Sequence, residues 1–520
     1  MIRNFFKHIR ILYKSIFLDK SEINFINSCT KNNSNLKKNT RKKKFILIQT
    51  PSDYYYLAYY KLLHSEFFFS SYRLIGLWPY FQRPIRKRNF VLEFLHEIYN
   101  RLFDIIIFYK WKKLYRAIGI ETFEKINVPL IHSRKFQIKK YKHFLNKKNF
   151  FNFDINGIKI GDILYDTYLR FRVQPTLFMN DYFLHKLIIS SNLIFLKLEK
   201  LYKKYKFKFF FTSYTSYIHH GLPVRYFLKK KVKVFSGINT SQYNKKISKN
   251  DTKHSEDFSK YKDKKDIMKK NKKILYSSQL DLNYRFSKIE KKSTLPYMAT
   301  DTYNIKKNLN LNLKILDNIN GVIFLQDFYD SPHEWGKLAF NDLYIWTIFT
   351  LNIIRKYNLK IAIKPHPNTW HNSLDTVALY ERLKKKYSDL IWLDKDFPNR
   401  LIFKKIKFGV SARGTVLFEL AYHGIKALSC GVHPGIDFNF TIHADNKFQY
   451  KYNLLNVEKI KKPKYTKKDL LIYNYLYYHY NMDAYENTAR KINLKSIDFS
   501  TSKGLEKFIG KYQEYIQNNE

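Results

Sequence analysis

Two cysteines in 520 residues, Cys29 and Cys430, are too few for a disulfide framework or a cysteine-based zinc site, and such usage suits a reducing compartment such as the cytoplasm. Long apolar runs are also missing. No uninterrupted stretch reaches the roughly 18 residues that a membrane-spanning helix needs, so none is expected. Lys7, Arg10 and Lys14 break the apolar positions of the N-terminus, which excludes a signal-peptide core there. Residues 2–18 are left either as an amphipathic helix lying on a membrane or as a surface helix or disordered lead.

Acidic residues are scarce as well: 43 Asp and Glu stand against 95 Lys and Arg, a formal net charge of +52. Such an excess invites a nucleic-acid partner, because Lys and Arg that neutralise phosphates supply sequence-independent affinity. The lysines run from end to end alongside abundant Asn, Ile, Tyr and Phe, the pattern of A/T-rich codons. No basic stripe joins a reading helix, no zinc spacing occurs, and no nucleic-acid partner is expected. Attraction to an anionic inner-membrane surface ranks above nucleic acid.

What is present is a globular composition, 45% hydrophobic and 18% aromatic with 43 Tyr and 44 Phe. A chain of this length exceeds one core, so two domains of roughly 200 residues each are expected. Apolar Phe45–Gln49 ends at Thr50-Pro51 and precedes a helix over about 54–63. From Val91 to Tyr115 apolar residues recur at helical spacing (Val91, Phe94, Leu95, Ile98, Leu102, Ile106), which predicts a long packed helix. A helix over 182–205, a strand over 207–211, a helix over 217–228 and a strand over 232–235 follow. The apolar content then collapses between about 240 and 273. Alternation resumes with strands over 321–325, 360–364, 391–393, 408–410 and 427–429, and with helices over 342–357, 374–387 and 415–422. This β-α-β order predicts two Rossmann-like α/β domains facing a central cleft. The segments are a basic lead 1–40, a first domain 41–240, a Lys-rich insertion or linker 241–310, a second domain 311–470 and a C-terminal helical segment 471–520.

The most informative segment is Gly409-Val410-Ser411-Ala412-Arg413-Gly414-Thr415-Val416-Leu417-Phe418-Glu419, a strand, a small-residue turn and a helix start. A helix start presents backbone N–H groups and a positive dipole end, and Gly permits close approach, so Ser411, Arg413, Gly414 and Thr415 are candidates for a diphosphate. Glu419, one turn on, is placed to reach a ribose. An ordinary N-cap at Thr415 with Glu419 on a solvated face explains the segment as well when it is taken alone. Lys364-Pro365-His366-Pro367 at the end of another strand tips the balance. Two prolines hold His366 rigidly where it can bond a phosphate or a leaving group, beside Lys364.

Together, Lys364-Pro365-His366-Pro367, Arg413 to Gly424 and Gly431-Val432-His433-Pro434-Gly435 resemble the capsule-type polysaccharide biosynthesis proteins. The resemblance covers roughly residues 320–450. Gly157 to Arg170 also resembles surface-carbohydrate proteins. The resemblance implies a GT-B glycosyltransferase, of a family with Kdo- and sialic-acid-transferring members. It would transfer a sugar from a nucleotide-activated donor to a lipid-linked or polysaccharide acceptor, without metal and with no cofactor beyond that substrate. The second domain would hold the nucleotide and the first the acceptor. Transfer of a polyol phosphate from a CDP-activated donor is the rival chemistry. A non-enzymatic basic nucleic-acid or membrane-binding scaffold is the rival class.

In the first domain Asp162, Asp166 and Arg170 are spaced to share one helical face. Asp166 is the first candidate for a general base and Asp162 the second, against a plain surface salt-bridge ladder. His219 and Arg225, in Tyr217 to Arg225, are further cleft candidates beside Arg170 and His433. Gln326, Asp327 and Asp330 to Trp335 either close over the donor or form an ordinary long loop. Asp394-Lys395-Asp396 reads as a loop rather than as a metal-holding pair.

Overall fold

The computed structural model describes residues 16–33, 44–66, 72–79, 90–126, 149–238, 243–253, 265–266, 268–287, 303, 313–367, 374–478, 492, 494 and 497–518. Residues 2–15 of the proposed amphipathic lead lie outside them. The chain divides into two compact units, one of Met1–Arg172, Phe178–His254 and Asp483–Glu520, the other of Val173–Leu177 and Ser255–Met482. Both are α/β.

The first unit is built on six strands: β1 (Phe45–Gln49), β2 (Arg73–Trp78), β3 (Thr122–Lys125), β6 (Phe209–Thr212), β7 (Lys233–Ile238) and β8 (Tyr243–Ile247), in the order β3-β2-β1-β6-β7-β8. A separate hairpin joins β4 (Asp154–Ile155) and β5 (Ile158–Lys159). All neighbours in the large sheet are parallel except β8, which runs antiparallel to β7. Continuous runs such as Phe45–Gln49 suit strands covered on both faces. Helix Lys20–Asn33 opens with a reciprocal cap, Asp19 N–H to Glu22 Oε2 at 2.8 Å and Glu22 N–H to Asp19 Oδ1 at 3.0 Å. It packs on helix Lys503–Gln517 through Phe25, Cys29, Phe508 and Tyr512. Both ends of the chain thus contribute to this unit. β8 and helix Lys272–Arg285 also lie within the segment that composition alone reads as insertion or linker.

The helix at Phe90–Ala117 forms as its periodicity predicts, but it is turned the other way round. Val91, Phe94, Leu95 and Leu102 are exposed, while Glu93, Glu97, Asn100, Asp104 and Lys110 are buried. The charged face is drawn inward by partners on other elements: Glu93 by Arg172, Glu97 by Lys186, Asp104 by Lys125 (3.3 Å) and Lys110 by Glu22 (2.7 Å).

The second unit carries five parallel strands, β9 (Gly321–Phe324), β10 (Ile361–Lys364), β11 (Phe408–Val410), β12 (Lys426–Ser429) and β13 (Ile442–His443), in the order β10-β9-β11-β12-β13. Only a single bridge, Trp392 to Ile363, stands where a strand at 391–393 is expected. Alternate side chains enter two cores: Ile323, Ile363 and Val410 pack with Trp346 and Tyr450, whereas Val322, Phe324 and Ala362 pack with Leu393 and Leu417. In each sheet the chain order reverses beside its first strand, between β1 and β6 and between β9 and β11. Doubly wound sheets bind ligands outside the carboxyl ends of the strands at such a switch point.

Candidate functional site

The carboxyl edge of the second sheet gathers most of the residues singled out from sequence. Gln326 follows β9, Lys364 and His366 end β10, Ser411 to Thr415 follow β11, and His433 follows β12. Ser411 is a fastening: its hydroxyl donates to Phe324 O at 3.2 Å and accepts from Gly414 N–H at 3.3 Å. This holds the turn against the end of β9. Arg413 is buried and donates through Nη1 to Pro332 O at 2.7 Å. Only Gly414, Thr415 and Val416 of the turn are partly exposed. A Cβ added to Gly414 would lie 3.0 Å from Ser411 Oγ and 3.6 Å from Gln326 Nε2, so the glycine keeps the space beside that amide clear. Gln326 Oε1 is shielded from solvent and has no hydrogen-bond partner among the described residues. A buried acceptor left unmade costs about 1–3 kcal/mol, which a ligand donor would relieve.

Beneath the turn runs a polar chain. Lys364 Nζ donates to Asn399 Oδ1 (2.8 Å), Asn399 Nδ2 to Glu419 Oε2 (3.3 Å), and Arg285 pairs with Glu419 Oε1 (2.9 Å). Burial pushes the Lys364 ammonium down to about 8, with Glu419, Asp396 and Asp394 pulling the other way. Burial also weighs against the Arg285 charge, but Tyr478 and Glu419 more than offset it and hold the guanidinium protonated. Glu419 is therefore committed to Arg285 and Asn399 in this arrangement instead of reaching out to a ribose. Lys364 is buried and acts from below the turn. Arg285 and Asn399 carry no motif, and Arg285 sits in the Lys-rich segment, so sequence reasoning missed both.

His366 is partly exposed. Burial of the ring, reinforced by the Lys364 charge and opposed by Asp330, pushes it down to about 4. At neutral pH it is an uncharged imidazole that can offer one N–H. His433 is not at an open edge. It is buried, its Nδ1 accepts from Gly435 N–H (3.2 Å), which leaves Nε2–H to donate to Thr441 Oγ1 (3.1 Å). Burial, His443 and Arg413 push it down to about 3. The loop at 330–342 is tied down by Ala339 N–H to Cys430 O and Val432 N–H to Lys337 O, both 2.8 Å. In Asp394-Lys395-Asp396, Asp394 Oδ1 accepts Asp396 N–H (2.7 Å) and Lys395 pairs with Asp396.

The first-unit candidates are distributed differently from their expected helical face. Helix Gly161–Tyr168 ends before Arg170, which is exposed on the wider turn Leu169–Val173. Asp162 is clasped by Arg225, Nη1 to Oδ1 at 2.6 Å and Nη2 to Oδ2 at 2.7 Å. Asp166 is only 2% exposed. In this arrangement Asp166 is an interior residue, and both oxygens of Asp162 are bonded to Arg225. His219 is buried beside Tyr217 and Phe171, and burial pushes it down to about 3.

No protein-family model and no curated protein matches the sequence. Some solved structures resemble it faintly. A Thermosulfurimonas dismutans KpsC beta Kdo 2,4 transferase is 11% identical over 49% of this chain and 76% of its own, with a TM-score of 0.30. A Methanocaldococcus jannaschii UDP-GlcNAc 2-epimerase is 10% identical over 83% and 97%, with a TM-score of 0.26. An Acinetobacter baumannii MurG is 10% identical over 87% and 98%, also with a TM-score of 0.26. At such scores the likeness decides nothing about activity.

Proposed function

We propose that this chain is a GT-B glycosyltransferase that binds a nucleotide-activated sugar at the β9/β11 switch point of its second unit. The acceptor is a hydroxyl of a growing surface glycan, lipid-linked or polysaccharide. The observation that carries the reading is the shielded Gln326 Oε1, without a partner among the described residues and suited to accept from a hydroxyl or N–H of the donor, set beside a glycine that keeps the approach open.

A donor diphosphate fits over the exposed tip at Gly414 and Thr415. Lys364, Arg413 and Arg285 lie near or beneath it, with Glu419 paired to Arg285 and Asp394 and Asp396 acting on Lys364. In the transfer the acceptor oxygen bonds the anomeric carbon, the bond from that carbon to the diphosphate oxygen breaks, the diphosphate leaves with the electron pair, and the acceptor's proton passes to the departing diphosphate or to water. Fixed positive charge where that negative charge develops is the catalytic contribution assigned to this edge. Neutral His366 would donate its N–H to a phosphate oxygen without bringing a charge of its own.

Thermal unfolding in the presence of UDP, CDP, GDP and CMP tests the reading. A ligand at 100 times its Kd should contribute about 2.7 kcal/mol, and one of the four is expected to raise Tm in the wild type. A panel in which none does, or one whose effect persists in Gly414→Val, would remove the nucleotide site.

A further inference from the structure

Helix Phe90–Ala117 presents an unusual balance of faces. Its exposed positions from 91 to 109 are Val91, Leu92, Phe94, Leu95, Tyr99, Leu102, Ile105 and Tyr109, with no charged residue among them. Val91, Leu95, Leu102 and Tyr109 are 60%, 54%, 57% and 61% exposed. Steps of three and four residues from Val91 through Leu95, Tyr99, Leu102 and Ile105 to Tyr109 draw one row about 28 Å long. The row continues into exposed Lys113 and Arg116, and Arg86-Lys87-Arg88 immediately precedes the helix in sequence. The charged residues are meanwhile spent inside, on Arg172, Lys186, Lys125 and Glu22. A fold surrounded by water alone gains nothing from that inversion. A large apolar row with basic ends marks a contact surface.

Next to it in the same unit is a cavity of about 260 Å³ lined by Lys125, Lys197, Lys200 and Lys204 over Leu77 and Leu201. Lys125 reaches Asp104 of the helix (3.3 Å), and the Lys197 ammonium is held down by burial and then by the neighbouring charges of Arg101 and Lys200. Lys204 is answered by Glu124 (3.0 Å), whereas Lys197 and Lys200 form no ion pair among the described residues. A cluster of cations beside an apolar row matches the chemistry of a bilayer surface, acyl chains beneath anionic headgroups.

We propose that the outer face of helix Phe90–Ala117 rests on an anionic phospholipid bilayer, with Lys197 and Lys200 of the adjoining cavity facing phosphate headgroups. No helix of the described residues is long and apolar enough to cross a membrane, so the helix lies along the surface. The proposal does not rest on the nucleotide reading, and either can fail alone.

The test is co-sedimentation of the full chain with phosphatidylcholine vesicles, with and without phosphatidylglycerol. The wild type is expected to bind the anionic vesicles and to release them as salt rises. Leu95→Gln/Leu102→Gln/Ile105→Gln should bind them roughly tenfold more weakly or worse. Lys197→Gln/Lys200→Gln should lose most of the preference for anionic over neutral vesicles. All altered positions lie outside the core, so an unchanged Tm is the folding control. Failure of the wild type to bind anionic vesicles, or equal binding by a folded triple variant, overturns the proposal. A lipid-free dimer that the triple variant turns into monomer, with vesicle binding unchanged, would give the face to a second copy and overturn it equally.

Discussion

Each sheet has a switch point, and a glutamine stands at the end of its first strand in both, yet the two are finished in opposite ways. In the first unit Gln49 Oε1 accepts from Thr212 Oγ1 (2.8 Å), Ser213 N–H (3.3 Å), Ser213 Oγ (3.0 Å) and His220 Nδ1 (2.8 Å). Its amide donates to His219 O at 3.3 Å. The segment after β6 folds back over the edge, with Tyr56 Oη on Ser213 O (2.7 Å) and Thr167 Oγ1 taking Ile218 N–H (2.9 Å). In the second unit Gln326 Oε1 has no donor among the described residues, while Ser411 and Arg413 tie the neighbouring turn down. The contrast lies in the two glutamines, one bonded by its neighbours and one not, although Thr50 Oγ1 just after β1 also lacks a partner among the described residues. Fold alone therefore does not say which edge binds a ligand. The proposed site rests on the state of the two glutamines.

The comparison breaks most visibly at the two glutamines. Gln49→Leu strands several buried donors at about 1–3 kcal/mol each, so a loss of several kcal/mol and a fall in Tm of about 10 °C are expected by thermal unfolding. Gln326→Leu removes an unmet acceptor, so Tm should hold or rise slightly while nucleotide affinity falls roughly tenfold. Equal Tm losses in both variants would erase the distinction. Gly414→Val comes next: a branched side chain occupies the approach to Gln326, and titration calorimetry should show affinity lower by about a hundredfold with the fold retained. The smallest effect concerns Lys364. Its proton leaves as pH rises through about 8, so nucleotide affinity should decline above that value, and the decline should be absent in Lys364→Met. The stability sign runs the other way. A lysine held below its ordinary value binds its proton less well folded than unfolded, which disfavours the folded state once pH falls below the unfolded value. Lys364→Met lifts that penalty but strands Asn399 Oδ1, so its stability at neutral pH should stay within about 1–3 kcal/mol of the wild type.

Where local pattern decides structure, the sequence is legible. Periodicity places helix Tyr182–Tyr205 and strand Phe408–Val410 at their observed ends, and strand-end turns mark the edge that gathers Gln326, Lys364, His366 and Gly414. Orientation and partnership are not local. In helix Phe90–Ala117 apolar and acidic residues repeat with the same period, and only cations from distant elements decide which face turns inward. The same holds for Asp162, which is clasped by Arg225, 63 residues away. Arg285 reaches Glu419 from a Lys-rich helix whose composition suggests solvent.

Photo-crosslinking with an azido-nucleoside diphosphate sugar, followed by peptide mapping, separates the two edges in a single measurement. Label on peptides containing Gln326 and Ser411 to Val416, competed away by unmodified nucleotide, is the predicted result. Competable label confined to peptides spanning Gln49 or Thr212 to His220 would contradict it and move the donor site to the first unit.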